Sequence, residues 1–166
     1  MTAKQKIVYT SDIMDKYPGY DEVRVCEIAF RDYGAHNAFH GTAVTIATYE
    51  NNTEVRKVLE GDGTGKVLVV DGRGSMRHAL CGGNVAMLAA KNNWAGVVFN
   101  GCVRDIHEIR MAETGIKGIG TNPRPPKKGD LGGVGATLHF GGVTFHNGDY
   151  VYADEDGVIV TDKPRH

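Results

Sequence analysis

No apolar run in this 166-residue chain approaches the roughly 18 residues that a membrane span requires. The opening stretch, MTAKQKIVYTSDIMDKYPG, also has no long apolar core of the secretory type. Cysteine is scarce: Cys26, Cys81 and Cys102 are odd in number and include no C-x-x-C pair. That argues against a disulfide framework and fits a reducing compartment, so the expected location is cytoplasmic. A net charge of −1 leaves no basic face for nucleic acid. The one short basic patch, Arg124 with Lys127 and Lys128, lies in a proline-rich loop and reads as solvated. His36, His40, His139 and His146 are scattered and read as structural, and His107 has no second histidine at metal-ligand spacing.

Glycine, by contrast, is abundant. The 23 glycines show no period, which excludes collagen-like and simple repeat architectures. They cluster at element boundaries, as in GDGTG, GRG, CGG and GDLGGVG, and so describe short elements joined by tight turns. Hydrophobic content of 41% and charged content of 23% are ordinary for a globular protein, and the length suits one domain over 1–166.

The spacing predicts a short helix at 10–17 with Thr10 and Ser11 as cap candidates, and a β-branched strand at 41–49. A helix follows with Val55, Val58 and Leu59 on one face, stopping at Gly61. KVLVVDG, 66–72, reads as a strand buried on both faces; NVAMLAAKNNW, 84–94, reads as a helix, and AGVVFNG as a second buried strand. Strand, helix, strand at this spacing implies a right-handed crossover between parallel strands. RDIHEIRMAETG predicts another short helix. The last thirty or so residues carry Gly-Gly, Asn-Gly and Asp-Gly between alternating runs, the pattern of hairpins. The fold class expected is α/β with a β-rich carboxy-terminal part.

GVVFNGCVRDIHE, residues 96–108, ends its apolar strand on adjacent Arg104 and Asp105. Ligands collect at the carboxyl ends of parallel strands, although an adjacent pair is also consistent with a surface ion pair worth little. The loop before the 84–94 helix opens on the same edge. Gly82, Gly83, Asn84 and Val85 would there present backbone N–H groups and a positive dipole end to an anion. A carboxylate could be held by these N–H groups and the fork of Arg104, leaving Asp105 for a hard cation; a plain tight turn is the alternative for the glycines. Asp71, at a strand end, could support the site from behind or serve as a turn carboxylate. Arg73 and Arg77 face the same edge and could help hold a dicarboxylate, or be solvated. Asp154, Glu155 and Asp156 read as a solvated turn cluster, and Cys102 as a small buried residue rather than a nucleophile.

The run KVLVVDGRGSMRHALCGGNVAMLAAKNNWAGVVFNGCVRDIHEI resembles the family of the regulator of ribonuclease activity A (RraA). That family also contains the divalent-metal aldolases for 4-hydroxy-4-methyl-2-oxoglutarate. RVCEIAFRDYGAHNAFHGTAVT and FGGVTFHNGDYVYADEDGVIV resemble its other two blocks, in the same order, so the likeness covers about residues 9–161. It implies a swivelling β/β/α-type domain assembled as a homotrimer or a dimer of trimers. It also implies a lyase on small 2-oxo acids using Mg²⁺ or Mn²⁺, with Arg104 gripping the pyruvyl carboxylate and Asp105 binding the metal. The aldolase motif ends in an acid three residues after the Asp, here Glu108. Twenty intervening residues before Arg104 the efficient aldolases carry Asp, and here stands Gly83. Aldol cleavage needs a base for the 4-hydroxyl and oxaloacetate decarboxylation does not, so Gly83 implies that decarboxylation is the better kept. The few residues after Val160 imply that no carboxy-terminal acid reaches a neighbour's site. The rival expectation is a non-catalytic protein that binds and inhibits an RNA-degrading ribonuclease.

Overall fold

The computed structural model describes residues 5–129 and 132–166. In chain order the elements are α1 (Thr10–Lys16), β1 (Arg24–Val25), β2 (Arg31–Asp32), β3 (Phe39–Thr48), α2 (Thr53–Leu59), β4 (Lys66–Asp71) and β5 (Ala79–Cys81). Then come α3 (Gly83–Lys91), β6 (Gly96–Asn100), β7 (Cys102–Val103), α4 (Ile106–Ile109), β8 (Gly115–Gly118) and β9 (Gly120–Thr121). β10 (Gly132–Val134), β11 (Leu138–Phe140), β12 (Val143–Phe145), β13 (Tyr150–Asp154) and β14 (Gly157–Thr161) complete the chain.

The main sheet runs β1-β14-β13-β3-β4-β6-β8-β2, with β10 paired to the far half of β3. Its centre, β3-β4-β6-β8, is parallel, and both flanks are antiparallel. Period-2 alternation sorts the central strands between two cores. Leu68, Val70, Val97 and Phe99 pack with Val55 and Leu59 of α2 and with Val85, Ala86 and Ala89 of α3. Val67, Val69 and Val98 face the other way, onto Leu138 and Phe145 of the β11–β12 hairpin and onto Val151 and Val160. The layers are therefore hairpin, sheet and helices, a mixed α/β fold. A separate parallel set, β5-β7-β9, extends from the carboxyl edge of the central strands.

Three expectations change. Asn147-Gly148 does not close a hairpin: it carries the chain from β12 to β13, and Asn147 Oδ1 accepts the Thr45 N–H at 3.1 Å. Thr10 does not cap α1 with its side chain; its N–H and hydroxyl donate to the Asp154 carboxylate at 2.7 and 2.8 Å. Asp154 is consequently buried, not solvated, because it neutralises the first turn of a helix packed across β13 and β14. The short helix expected after Asp105 does form, as a single turn over Ile106–Ile109.

Candidate functional site

Parallel strands place their carboxyl ends on one edge, and β4 and β6 finish in register, Asp71 beside Asn100. Past that edge, the Arg104 N–H donates to Cys81 O at 2.8 Å. This bond lays the loop 82–83 directly against 104–108. Asp105 there adopts φ 57°, ψ 46°, the left-handed region, and its own carbonyl accepts from Glu108 and Ile109 to start α4. Its side chain is thereby turned away from its own helix. Asp105 Oδ2 instead accepts the Gly83 N–H at 3.0 Å, capping α3, which has no cap of its own. A left-handed non-glycine residue costs about 1–2 kcal/mol, and this carboxylate bond to a helix N-terminus offsets part of it.

The close approach explains the paired glycines. A Cβ on Gly82 would stand 2.6 Å from Asp105 Oδ2. A Cβ on Gly83 would overlap Glu108 Oε2 and lie 2.8 Å from its carboxyl carbon and 2.9 Å from its Cβ. Glu108 therefore fills the space that a side chain at 83 would need. The turn is tight, as one reading of the sequence had it, and one of the expected anion-holding N–H groups, that of Gly83, is already committed to Asp105. A side chain at position 83 therefore requires the Glu108 carboxylate, the mobile end of a half-exposed side chain, to swing aside.

A cavity of about 770 Å³ lies over this junction, lined by Gly82, Asn84, Val85, Arg104 and Asp105 on one side. Asn52, Thr53, Arg56, Lys57 and Glu60 of α2 and its approach form a second wall, and Pro125, Pro126, Lys128 and Gly129 a third. Half-buried Arg104 has no carboxylate partner among the described residues; its Nη1 reaches only Pro123 O, at 3.4 Å. Adjacent Arg104 and Asp105 do not pair with each other, and Asp105 Oδ1 has no hydrogen-bond partner among the described residues. The lone-ion-pair alternative for the two residues does not hold.

The third wall is pinned from beneath by a buried acid. Glu50, 1% exposed and in the left-handed region, lies 3.3 Å from His78 Nε2, 3.5 Å from Arg77 Nε and 3.7 Å from Lys127 Nζ. Burial alone would raise its carboxyl pKa; the Tyr49 hydroxyl, Arg77, Lys127 and His78 outweigh burial and hold it below the ordinary range. The Lys127 N–H donates to Glu50 O at 2.7 Å, Asn51 Nδ2 to Gly129 O at 2.8 Å and His78 Nδ1 to Pro125 O at 2.6 Å.

Other sequence candidates fall elsewhere. Asp71 Oδ1 accepts from the Arg73 N–H and from Asn100 Nδ2, both at 2.9 Å, and does not line the cavity. Arg73 stacks on Tyr49 and Arg77 faces Glu50, so neither lines the cavity. Cys102 is buried against Met76, and burial pushes its thiol up, away from thiolate reactivity. Sequence reading missed Asn52, Arg56 and Lys128. The polar spacing of Thr53, Arg56 and Glu60 opposite Val55 and Leu59 was a usable signal for the second wall; for Lys128, taken as a solvated loop residue, the chain offered none.

Among the described residues no three His, Cys, Asp or Glu side chains gather to hold a metal. A closed structural site is thus absent from that part of the chain. A single hard carboxylate oxygen with a free valence, Asp105 Oδ1, does fit Mg²⁺ or Mn²⁺, which take one or two carboxylates and keep several waters.

The RraA-like family (Aldolase/RraA) matches residues 10–160. The chain belongs to it. A protein of Alkalilimnicola ehrlichii provisionally named 4-hydroxy-4-methyl-2-oxoglutarate aldolase is 46% identical over 92% of this chain and 94% of its own. A like-named protein of Pseudomonas putida is 44% identical over 93% and 94%. Among solved structures, the RNA-processing inhibitor RraA of Thermus thermophilis superposes with a TM-score of 0.91 at 39% identity, covering 96% of this chain and 95% of that one. A Geobacillus kaustophilus structure described as S-adenosylmethionine:2-dimethylmenaquinone methyltransferase gives 0.91 at 43% identity, over 95% and 96%. In this RraA-like chain the Gly72-Arg73-Gly74 turn after β4 leads into β5 and not into a helix, unlike a dinucleotide-binding loop.

Proposed function

We propose that the protein is a divalent-metal-dependent carbon–carbon lyase on small 2-oxo dicarboxylates, of the 4-hydroxy-4-methyl-2-oxoglutarate aldolase and oxaloacetate decarboxylase type. The observation that carries this reading is a guanidinium without a carboxylate beside a carboxylate oxygen without a donor, on one cavity wall. Arg104 takes the pyruvyl carboxylate through two parallel N–H bonds, and the N-terminal turn of α3 at Asn84 and Val85 adds its positive dipole end. Asp105 would hold Mg²⁺ or Mn²⁺ through Oδ1 while Oδ2 stays on the Gly83 N–H. A bound divalent ion supplies a Lewis acid for the 2-oxo oxygen. In decarboxylation the bond to the departing carboxylate breaks, carbon dioxide leaves, and the electron pair forms pyruvate enolate, which takes a proton at carbon. In aldol cleavage the 4-hydroxyl must also lose a proton, a task for which Glu108, packed beside Gly83 though not among the residues lining the cavity, is the motif's candidate.

The test is pyruvate release from oxaloacetate and from 4-hydroxy-4-methyl-2-oxoglutarate, with chelator and with Mg²⁺ or Mn²⁺ restored. Metal-dependent release above the spontaneous rate is expected; its absence with both substrates would sink the reading. The close likeness to an RNA-processing inhibitor supports a second one, in which the protein binds and restrains an RNA-degrading ribonuclease. Slowed RNA cleavage by such an enzyme, with no pyruvate released, is its distinguishing result.

The packing at position 83 changes what a carboxylate there would do. Gly83→Asp alone asks the half-exposed Glu108 carboxylate to swing aside and α4 to give slightly at Cβ108, so a modest fall in melting temperature is expected. Combined with Glu108→Ala, the added Asp has room apart from the 2.9 Å contact to Cβ108, which asks for a small shift of α4. The double variant should recover stability and raise the ratio of aldol cleavage to decarboxylation by about 10-fold or more relative to Glu108→Ala alone. A folded double variant with an unmoved ratio would show that position 83 does not divide the two reactions.

A further inference from the structure

The cavity holds a second guanidinium that the pyruvyl unit does not use. Thr53, Arg56 and Lys57 of α2 and its C-cap Glu60 stand at i, i+3, i+4 and i+7 and share one face, the face that lines the cavity opposite Arg104. Lys57 is paired with Glu54 at 3.2 Å. Glu60 follows Arg56 by four residues, a spacing at which an ion pair can close, yet Arg56 makes no ion pair or side-chain hydrogen bond among the described residues.

The charge balance of the cavity adds to this. Among the described lining residues Arg56, Lys57, Arg104 and Lys128 face Asp105 and Glu60, and with Lys57 paired to Glu54 the positive excess rests on the two arginines and Lys128. A divalent ion on Asp105 would widen the positive excess. A 2-oxo monocarboxylate answers Arg104 and leaves that excess in place, whereas a dicarboxylate answers both ends. The volume of about 770 Å³ accommodates the longer molecule. A planar fork projecting from a rigid helix suits a carboxylate better than a mobile ammonium does.

We propose that Arg56 is a specificity-determining residue that binds the distal carboxylate of a 2-oxo dicarboxylate whose pyruvyl carboxylate lies on Arg104. This assignment rests on the lyase reading above. It separates two reactions that share every group on the Arg104 wall. Oxaloacetate decarboxylation presents a second carboxylate at the start; exchange of pyruvate methyl protons with solvent needs the same enolate chemistry and has no second carboxylate.

The experiment compares the parent protein with Arg56→Gln and Arg56→Lys, all supplied with Mg²⁺. Oxaloacetate KM and kcat are measured separately by pyruvate release, and pyruvate methyl exchange in deuterated water by proton NMR. Glutamine keeps the helix propensity of the position but is shorter and neutral, so it removes the charge and the fork together. Arg56→Gln should raise oxaloacetate KM about 10- to 100-fold without lowering kcat, because the distal carboxylate loses its charge as carbon dioxide leaves. It should hold pyruvate exchange within about twofold, and Arg56→Lys should reverse part of the KM rise. Equal losses in both reactions would mean that Arg56 shapes the cavity without reading substrate, and would overturn the assignment. An unchanged oxaloacetate KM would overturn it as a solvated arginine. If the parent protein performs neither reaction, the lyase reading fails and this assignment falls with it; failure confined to the variants leaves that reading standing.

Discussion

Arg104→Lys is expected to leave oxaloacetate kcat/KM nearly as low as Arg104→Ala does, about 30- to 1000-fold below the parent, corresponding to roughly 2–4 kcal/mol of transition-state stabilisation. Lysine keeps the charge but cannot offer two parallel N–H bonds from one plane. The surroundings strengthen the expectation. Nothing else on that wall is a side-chain cation, and the Arg104 backbone is fixed by its bond to Cys81 O, so an ammonium cannot be re-aimed by moving the loop. Since Arg104 pairs with no carboxylate among the described residues, the substitution leaves no partner stranded there and the melting temperature should move little. A lysine variant with near-parental kcat/KM would refute the carboxylate clamp.

Asp105 offers one oxygen to the Gly83 N–H and the other to the proposed metal, and two substitutions separate these roles. Asp105→Asn retains an acceptor for the Gly83 N–H and tolerates the left-handed backbone at φ 57°. It should keep the fold, with a melting temperature within about 2 °C of the parent. It should lose about 10³-fold in metal-dependent activity, since a neutral amide holds a divalent cation poorly. The parent should gain thermal stability from added Mg²⁺ while the asparagine variant does not, a readout independent of turnover. Asp105→Ala removes the cap as well, at about 1 kcal/mol, and should lower the melting temperature by roughly 2–4 °C. Activity surviving in the asparagine variant, or an equal Mg²⁺ response in both proteins, would remove Asp105 from the metal site.

What was legible beforehand is what local rules govern. KVLVVDG and AGVVFNG read as buried parallel strands because both faces are apolar, and they pair in register, Val67 with Gly96 through Asp71 with Asn100. Val55 and Leu59 identified the buried face of α2 by helical periodicity. Arg104 and Asp105 stood out because a charged pair ended an apolar strand, and family likeness gave them roles. Asn147-Gly148 misled because the dipeptide specifies a turn but not which sheet each flanking strand joins. Asp154 misled because its partner, Thr10, is far along the chain and the sequence gives no sign that the two meet.

By itself, then, the chain determined its central parallel strands, the edge at which the candidate residues gather and the contiguous Arg104-Asp105 pair, since hydrophobic period, turn residues and a contiguous motif are all local. Tertiary structure alone decided that Asp105 caps α3, that Glu108 occupies the space beside Gly83, and that Arg56 and Lys128 share a cavity with Arg104. Those are contacts between segments that approach only after the strands have paired. Nothing in the spacing of residues 56, 83, 105, 108 and 128 encodes an approach of a few ångströms; the packing of α2, α3, α4 and the 122–129 loop over one sheet edge creates it.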